Sequence, residues 1–195
     1  MTVICIKDGV VVADGSSWQG GFMTQRDAQK IVRSRDGAIG AACGCASDTA
    51  AFRAWFTETS AADQRVPRSA GPLSKLDEKS GFQALWLDPS GDAWMLDWNG
   101  DAYCVGREPQ ATGGSAMVAL GAMYAGASAE EAVRICIERH DCAGGDVFVE
   151  RLAPVEPAES GEQQPVSETK EWATLEKHNR GTKLVAAWRE EMGLA

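Results

Sequence analysis

The 195-residue sequence predicts an α+β protein in which two sheets pack together with helices outside. Three observations lead there. Strand-like runs come in groups: four strands, a helix, three strands, two helices and a last strand. Turn residues separate neighbouring runs, which favours antiparallel hairpins. Strand–helix–strand repetition is absent, which argues against a doubly wound parallel sheet.

The elements follow in order. "TVICIK" reads as a strand, "KDG" as a tight turn and "VVVAD" as its returning partner. A glycine-rich corner spans Gly15 to Gly21. "AQKIVRS", "RDG" and "AIGAAC" read as a second hairpin with the same turn chemistry, with Lys30 inside its first strand. "SDTAAFRAWFTETS" places Phe52, Trp55, Phe56 and Thr59 at helical spacing, with Ser47 or Asp48 available as a cap. A polar loop with Pro67 and Pro72 is expected over 61–80.

"FQALWLD", "AWMLDW" and "AYCVG" form the next three strands, broken by "PSGD" and "NGD". Trp86, Trp94 and Trp98 lie on the first two. "GGSAMVALGAMYAG" predicts a helix whose apolar face is Met117, Leu120, Gly121 and Tyr124. Ser128 with Glu131 three residues on forms a capping box for the next helix. Ala129, Ala132, Val133, Cys136 and Ile137 are its apolar face. "GGDVFVERL" is the closing strand and ends the predicted domain, residues 1–152.

Composition bounds the function. The apolar fraction of 44% suits a globular fold, and the net charge of -9 disfavours nucleic acid as a partner. No window approaches the ~20 apolar residues of a membrane span. Lys7 and Asp8 interrupt the opening apolar run, so no signal peptide is expected and the cytoplasm is the expected compartment. Six cysteines in such a chain read as free thiols by default. Cys43 and Cys45 with His140 and Cys142 match no standard zinc spacing, and no cofactor is implied.

The C-terminal part differs in kind. Residues 153–169 hold three prolines, four glutamates and no basic residue, a linker composition. A helical extension is expected over 170–195, starting from about Glu168. Trp172, Leu175, Leu184, Val185, Trp188 and Met192 are its apolar positions. It either packs on its own domain or docks on a neighbouring subunit or partner.

Thr2 raises the chemical question. Once Met1 is removed, Thr2 carries both a hydroxyl and a free α-amine. A hydroxyl is a weak nucleophile without an adjacent base. An α-amine titrates near roughly 7.7–8.0 and can take that proton. One residue then supplies nucleophile and base, but only at a chain terminus. Such a site needs a cation to tune the pair, a carboxylate to hold the cation, and N–H groups for a developing oxyanion. Lys30, Asp14 and Gly44, the last at a strand-to-helix turn, are the residues in place for those roles.

These pieces in order resemble the proteasome β-subunit family, and in particular the HslV-type peptidases. The resemblance covers roughly residues 2–152. It rests on "TVICIKDGVVVAD", "QRDAQKIV", "GAACGCASD" and "GGSAMVALGAMYAGASAEEAVRI". It implies an N-terminal nucleophile hydrolase fold, a four-layer αββα sandwich, and a threonine peptidase that cuts unfolded polypeptide. By position it implies Thr2 as nucleophile and base, Lys30 as the tuning cation, Asp14 as its holder and the Gly44 N–H as oxyanion donor. Thr112 to Ser115 match the family's Ser/Gly turn beside the nucleophile, with Thr112 at the usual serine. Asp141 lies near the family's further aspartate, and Ala143 stands where proteasome subunits carry a further serine, which HslV-type enzymes also lack. Cys43 and Cys45 flank the glycine, where they line the specificity pocket or fill space beneath it.

Two functions of different class follow. The first is a self-compartmentalising threonine peptidase: a homo-oligomer, ring or related, whose chamber restricts it to unfolded chains, with an ATP-dependent unfoldase as the partner that the resemblance implies. The second is a non-catalytic structural protein that keeps the fold and uses its C-terminal helix for assembly. Retention of Met1 would turn the Thr2 amine into an amide and favour the second.

Overall fold

A computed structural model describes residues 2–60, 81–97, 102–139 and 142–153. The chain divides into two units, residues 1–153 and 154–195. Met1, the loop expected over 61–80, Trp98 with the "NGD" turn, His140 and Asp141 lie outside the described residues. So do the expected linker and last helix beyond residue 153.

Eleven strands and three helices are present among the described residues. The strands are β1 (Val3–Lys7), β2 (Val10–Asp14), β3 (Ser17–Gln19), β4 (Phe22–Gln25), β5 (Ile31–Arg33), β6 (Ile39–Cys43), β7 (Gln83–Leu87), β8 (Ala93–Asp97), β9 (Ala102–Gly106), β10 (Gln110–Gly113) and β11 (Val147–Arg151). The helices are α1 (Ala46–Glu58), α2 (Ala116–Tyr124) and α3 (Ala129–Arg139). None is long and apolar enough to cross a membrane.

All strand pairings are antiparallel. One sheet has the order β10-β1-β2-β11, a second the order β5-β6-β7-β8-β9, and β3 and β4 form a small ribbon. The β1–β2 connection has two residues, Asp8 and Gly9, at φ 51° and 75°. Positive φ at both is the twist-matched hairpin turn that an Asp-Gly pair favours. The β5–β6 turn differs from the one expected. Only Gly37 is left-handed there, and Ser34 N–H donates to the Ala38 carbonyl, so the loop is longer.

Three clusters make the core. Alternate residues of β1 and β2 serve two of them, as a two-residue side-chain period requires. Ile4, Ile6, Val11 and Ala13 meet Ile39, Ala41, Leu85 and Leu87 of the other sheet. Val3, Cys5 and Val12 pack against Ala119 and Met123 of α2 and against Ala132, Val133 and Cys136 of α3. On the second sheet, Ala42, Ala84 and Trp86 pack against Phe52 and Phe56 of α1. Both faces of both sheets are thus apolar, and the opening hairpin is one of the most buried parts of the molecule.

The sequence reading missed three strands. β3 lies in the glycine-rich corner and β4 follows it, with Gly20 and Gly21 as the turn between them, and β10 precedes α2. Three further corrections concern local detail. Lys30 stands just before β5, outside the strand. Cys45 is the N-cap residue of α1, so Ser47 and Asp48 lie within its first turn. In α2 the buried positions are Ala119 and Met123, whereas Met117 and Tyr124 are 81% and 66% exposed. Small alanines let that helix sit close to β1. The capping box holds: Ser128 Oγ accepts from Glu131 N–H, and the Glu131 carboxylate accepts from Ser128 N–H.

Candidate active site

The site lies where β1, β2 and the segment before β5 meet. β2 delivers Asp14 at its last position, opposite Val147 of β11. The side chain is fully buried and accepts five hydrogen bonds. Oδ1 accepts from Val3 N–H at 2.9 Å and from Lys30 Nζ at 2.6 Å. Oδ2 accepts from Ser16 N–H, from the Ser16 hydroxyl and from Gly144 N–H at 3.0 Å. A buried carboxylate is tolerated only with such pairing.

Lys30 reaches this carboxylate from a segment tied down at two points just before it. Ala28 N–H donates to the Gly15 carbonyl, and Asp146 N–H donates to the Arg26 carbonyl. The Lys30 side chain is 11% exposed. Its ammonium also donates to Thr2 Oγ1 at 2.8 Å. The three side chains therefore form one chain of contacts, hydroxyl to ammonium to carboxylate. Burial lowers the Lys30 pKa below the ordinary lysine value, while the charge and hydrogen bond of Asp14 oppose that shift.

Gly44 occupies the turn between β6 and α1, with φ +121°. A Cβ there would lie 2.8 Å from Phe82 Cα, so both conformation and space require glycine. Its neighbours differ sharply. Cys43 is buried, its thiol pKa is raised by burial, and its Sγ lies 3.9 Å from Thr112 Oγ1. Cys45 is exposed at the start of α1. A hydrogen bond with the Ser47 hydroxyl, then the N–H groups of Asp48 and Ser47, pull its thiol below the usual cysteine value.

Thr112 sits on β10 opposite Ile4, one pair from Val3 and Gly113. Its buried hydroxyl donates to Gln83 Oε1 at 2.5 Å. That contact, with Cys43, places Thr112 in a polar cluster linking β10, β7 and β6.

A cavity of about 260 Å³ opens beside these groups. Thr2, Lys30, Cys43 and Gly44 line one side. Thr2, Lys30, Asp14 and Gly44 thus come together as the sequence reading expected, and Cys43 borders the same space. Ser16 and Gly144 were not foreseen. The signal for Ser16 was the D-x-S spacing, which lets an aspartate accept from the N–H two residues on. Gly144 has no local signal, because it contacts Asp14 across 130 residues of chain.

The groups could act together chemically. A hydroxyl held by an ammonium has its ionised form favoured, and a glycine N–H at a helix entrance is suited to receive a developing anion.

No family model matches the chain, and no curated protein matches it. The solved structures similar to this chain include two of one protein. One is Thiobacillus denitrificans BPH in complex with epoxomicin, 22% identical, with a TM-score of 0.57, covering 78% of this chain and 99% of that one. The other is Thiobacillus denitrificans BPH, 21% identical, with a TM-score of 0.54 and 78% and 98% covered. At such identity the likeness is one of fold, and it is consistent with a proteasome-like one.

Proposed function

We propose that this chain is a threonine-type endopeptidase of the HslV-like kind, with an N-terminal nucleophile hydrolase fold in four αββα layers. The observation that carries the reading is the Lys30 ammonium, 2.8 Å from Thr2 Oγ1 and 2.6 Å from Asp14 Oδ1. The three core clusters support the layered fold. The similar BPH structure holds epoxomicin, a proteasome inhibitor, which favours a protease reading.

In this reading Met1 is removed and the freed Thr2 amine takes the proton from Oγ1. Oγ1 attacks the peptide carbonyl, and the carbonyl oxygen becomes an anion facing the Gly44 N–H. The amine returns its proton to the leaving nitrogen as the C–N bond breaks. An ester to Thr2 remains, and water activated by the same amine cleaves it. Lys30 stays charged throughout and favours ionisation of Oγ1. Thr112 supports the neighbouring turn. The substrate is unfolded polypeptide, the enzyme is a cytoplasmic homo-oligomer enclosing its sites, and an ATP-dependent unfoldase supplies the chains.

Intact-mass measurement of the purified full chain tests the first step, with loss of Met1 expected. Thr2→Ala should then abolish cleavage of peptide reporters while leaving the oligomer in size-exclusion chromatography. Quantitative retention of Met1 would favour the non-catalytic scaffold instead, and cleavage surviving Thr2→Ala would point to another nucleophile.

A further inference from the structure

We infer that the cavity beside Thr2 accepts an anionic substrate side chain, with Arg53 as the residue that selects it. The inference rests on the peptidase reading of the site and adds the class of side chain it takes.

Helix α1 shows two faces. Phe52 and Phe56 are buried against the sheet. Ala46, Thr49, Ala50 and Arg53 line the cavity, at the three- and four-residue spacing of one helical stripe. Ala46 and Ala50 are small, so the near part of the stripe leaves room for a side chain. Arg53 stands seven residues from Ala46, about 10 Å along the axis. Helical side chains lean toward the N-terminus, so an arginine there extends back along the stripe toward Gly44.

The charges on the lining are one-sided. Among the described residues of the lining, Lys30 and Arg53 are the cations, and none is an aspartate or glutamate. Lys30 is matched by Asp14. Arg53 has no ion pair among the described residues. Five arginines, at 33, 35, 107, 134 and 151, each have a carboxylate within 4.0 Å. Among the described residues Arg53 is thus a cation without a carboxylate partner, lining a concave, polar space. Gln25, Gln29 and Ser17 complete that polarity. A carboxylate can accept two parallel N–H bonds from a guanidinium, a geometry that neutral or basic side chains do not match. The residue preceding the cleaved bond would then be glutamate or aspartate.

The test uses the full chain and acylated tripeptide coumarin amides ending in Glu, Gln, Leu or Arg. The expected kcat/KM for Glu exceeds that for its neutral isostere Gln by about tenfold, because Arg53 is solvent-exposed and its pairing is partly screened. Arg53→Gln should bring the Glu/Gln ratio near one, Arg53→Lys should retain part of it, and Arg53→Glu should turn preference toward Arg. The same Glu and Gln peptides, as C-terminal amides, are titrated calorimetrically into the Thr2→Ala chain. Cleavage of every peptide without a Glu preference overturns the inference and leaves the peptidase reading intact. Absence of cleavage with Arg53-dependent Glu binding overturns the peptidase reading and leaves the subsite. Equal binding of Glu and Gln peptides, or an Arg53→Gln chain that keeps the preference, overturns the inference outright.

Discussion

Replacing Asp14 by asparagine keeps the shape of the side chain and changes its hydrogen-bonding capacity. The carboxylate accepts from Val3 N–H and Lys30 on one oxygen and from Ser16 and Gly144 on the other. An amide has one accepting oxygen, so its NH2 must face N–H donors whichever way it turns. At least two buried donors lose their acceptor, at about 1–3 kcal/mol each. Lys30 loses its counter-ion while remaining largely buried, and breaking a buried pair costs about 3–5 kcal/mol. These losses overlap, so we expect about 4–6 kcal/mol of destabilisation, a large share of the ~5–15 kcal/mol available to a domain. Urea unfolding of Asp14→Asn, Lys30→Met and the double variant measures it. The double variant removes the stranded cation and should be more stable than additivity predicts by about 2 kcal/mol. A single-variant loss under 1 kcal/mol, or simple additivity, would refute the view that the pair is held as a unit.

Further outcomes follow from the same geometry. Lys30→Ala should lower kcat by about a hundredfold or more, because it removes fixed charge at the reacting oxygen, and a near-normal rate in single-turnover assays would exclude that role. Gly44→Ala should lower both Tm and kcat, since its Cβ would crowd the Phe82 backbone 2.8 Å away; circular dichroism melting and peptide cleavage read the two effects. The Lys30 pKa is lowered from 10.5, so activity should fall on the alkaline side below that pH as the ammonium is lost. An alkaline limb at or above 10.5, with folding monitored in parallel, would contradict the assignment. Ser128→Ala should cost about 1 kcal/mol in urea unfolding by opening the α3 cap.

The opening hairpin was legible because several local signals agreed. Asp-Gly fixes the turn, and successive residues of both strands are apolar, as burial on two faces requires. The spacing of Thr2, Asp14 and Lys30 carried the core of the site. Helix α2 was legible as a helix but not in rotation. Its residues are apolar nearly all round, so the helical spacing that put Met117, Leu120, Gly121 and Tyr124 on one face fits other faces equally well. Close packing instead selected Ala119 and Met123. β10 carries polar residues and reads as a loop; only its register with β1 makes it a strand. The β3–β4 ribbon is largely exposed and lacks apolar alternation, leaving the Gly20-Gly21 pair as its one signal. The Gly144 contact needs the whole fold to be in place.

Asp14 Oδ1 has a consequence for how the site tolerates motion. The same oxygen takes the Lys30 ammonium and the N–H of Val3, the residue that follows Thr2. The ammonium and the strand bearing the hydroxyl therefore share one anchor. A thermal shift of β2 carries both along, and the 2.8 Å separation between Lys30 and Thr2 changes less than either position does. Precision in the reacting distance then comes from a common reference point, and the surrounding scaffold can breathe without losing it.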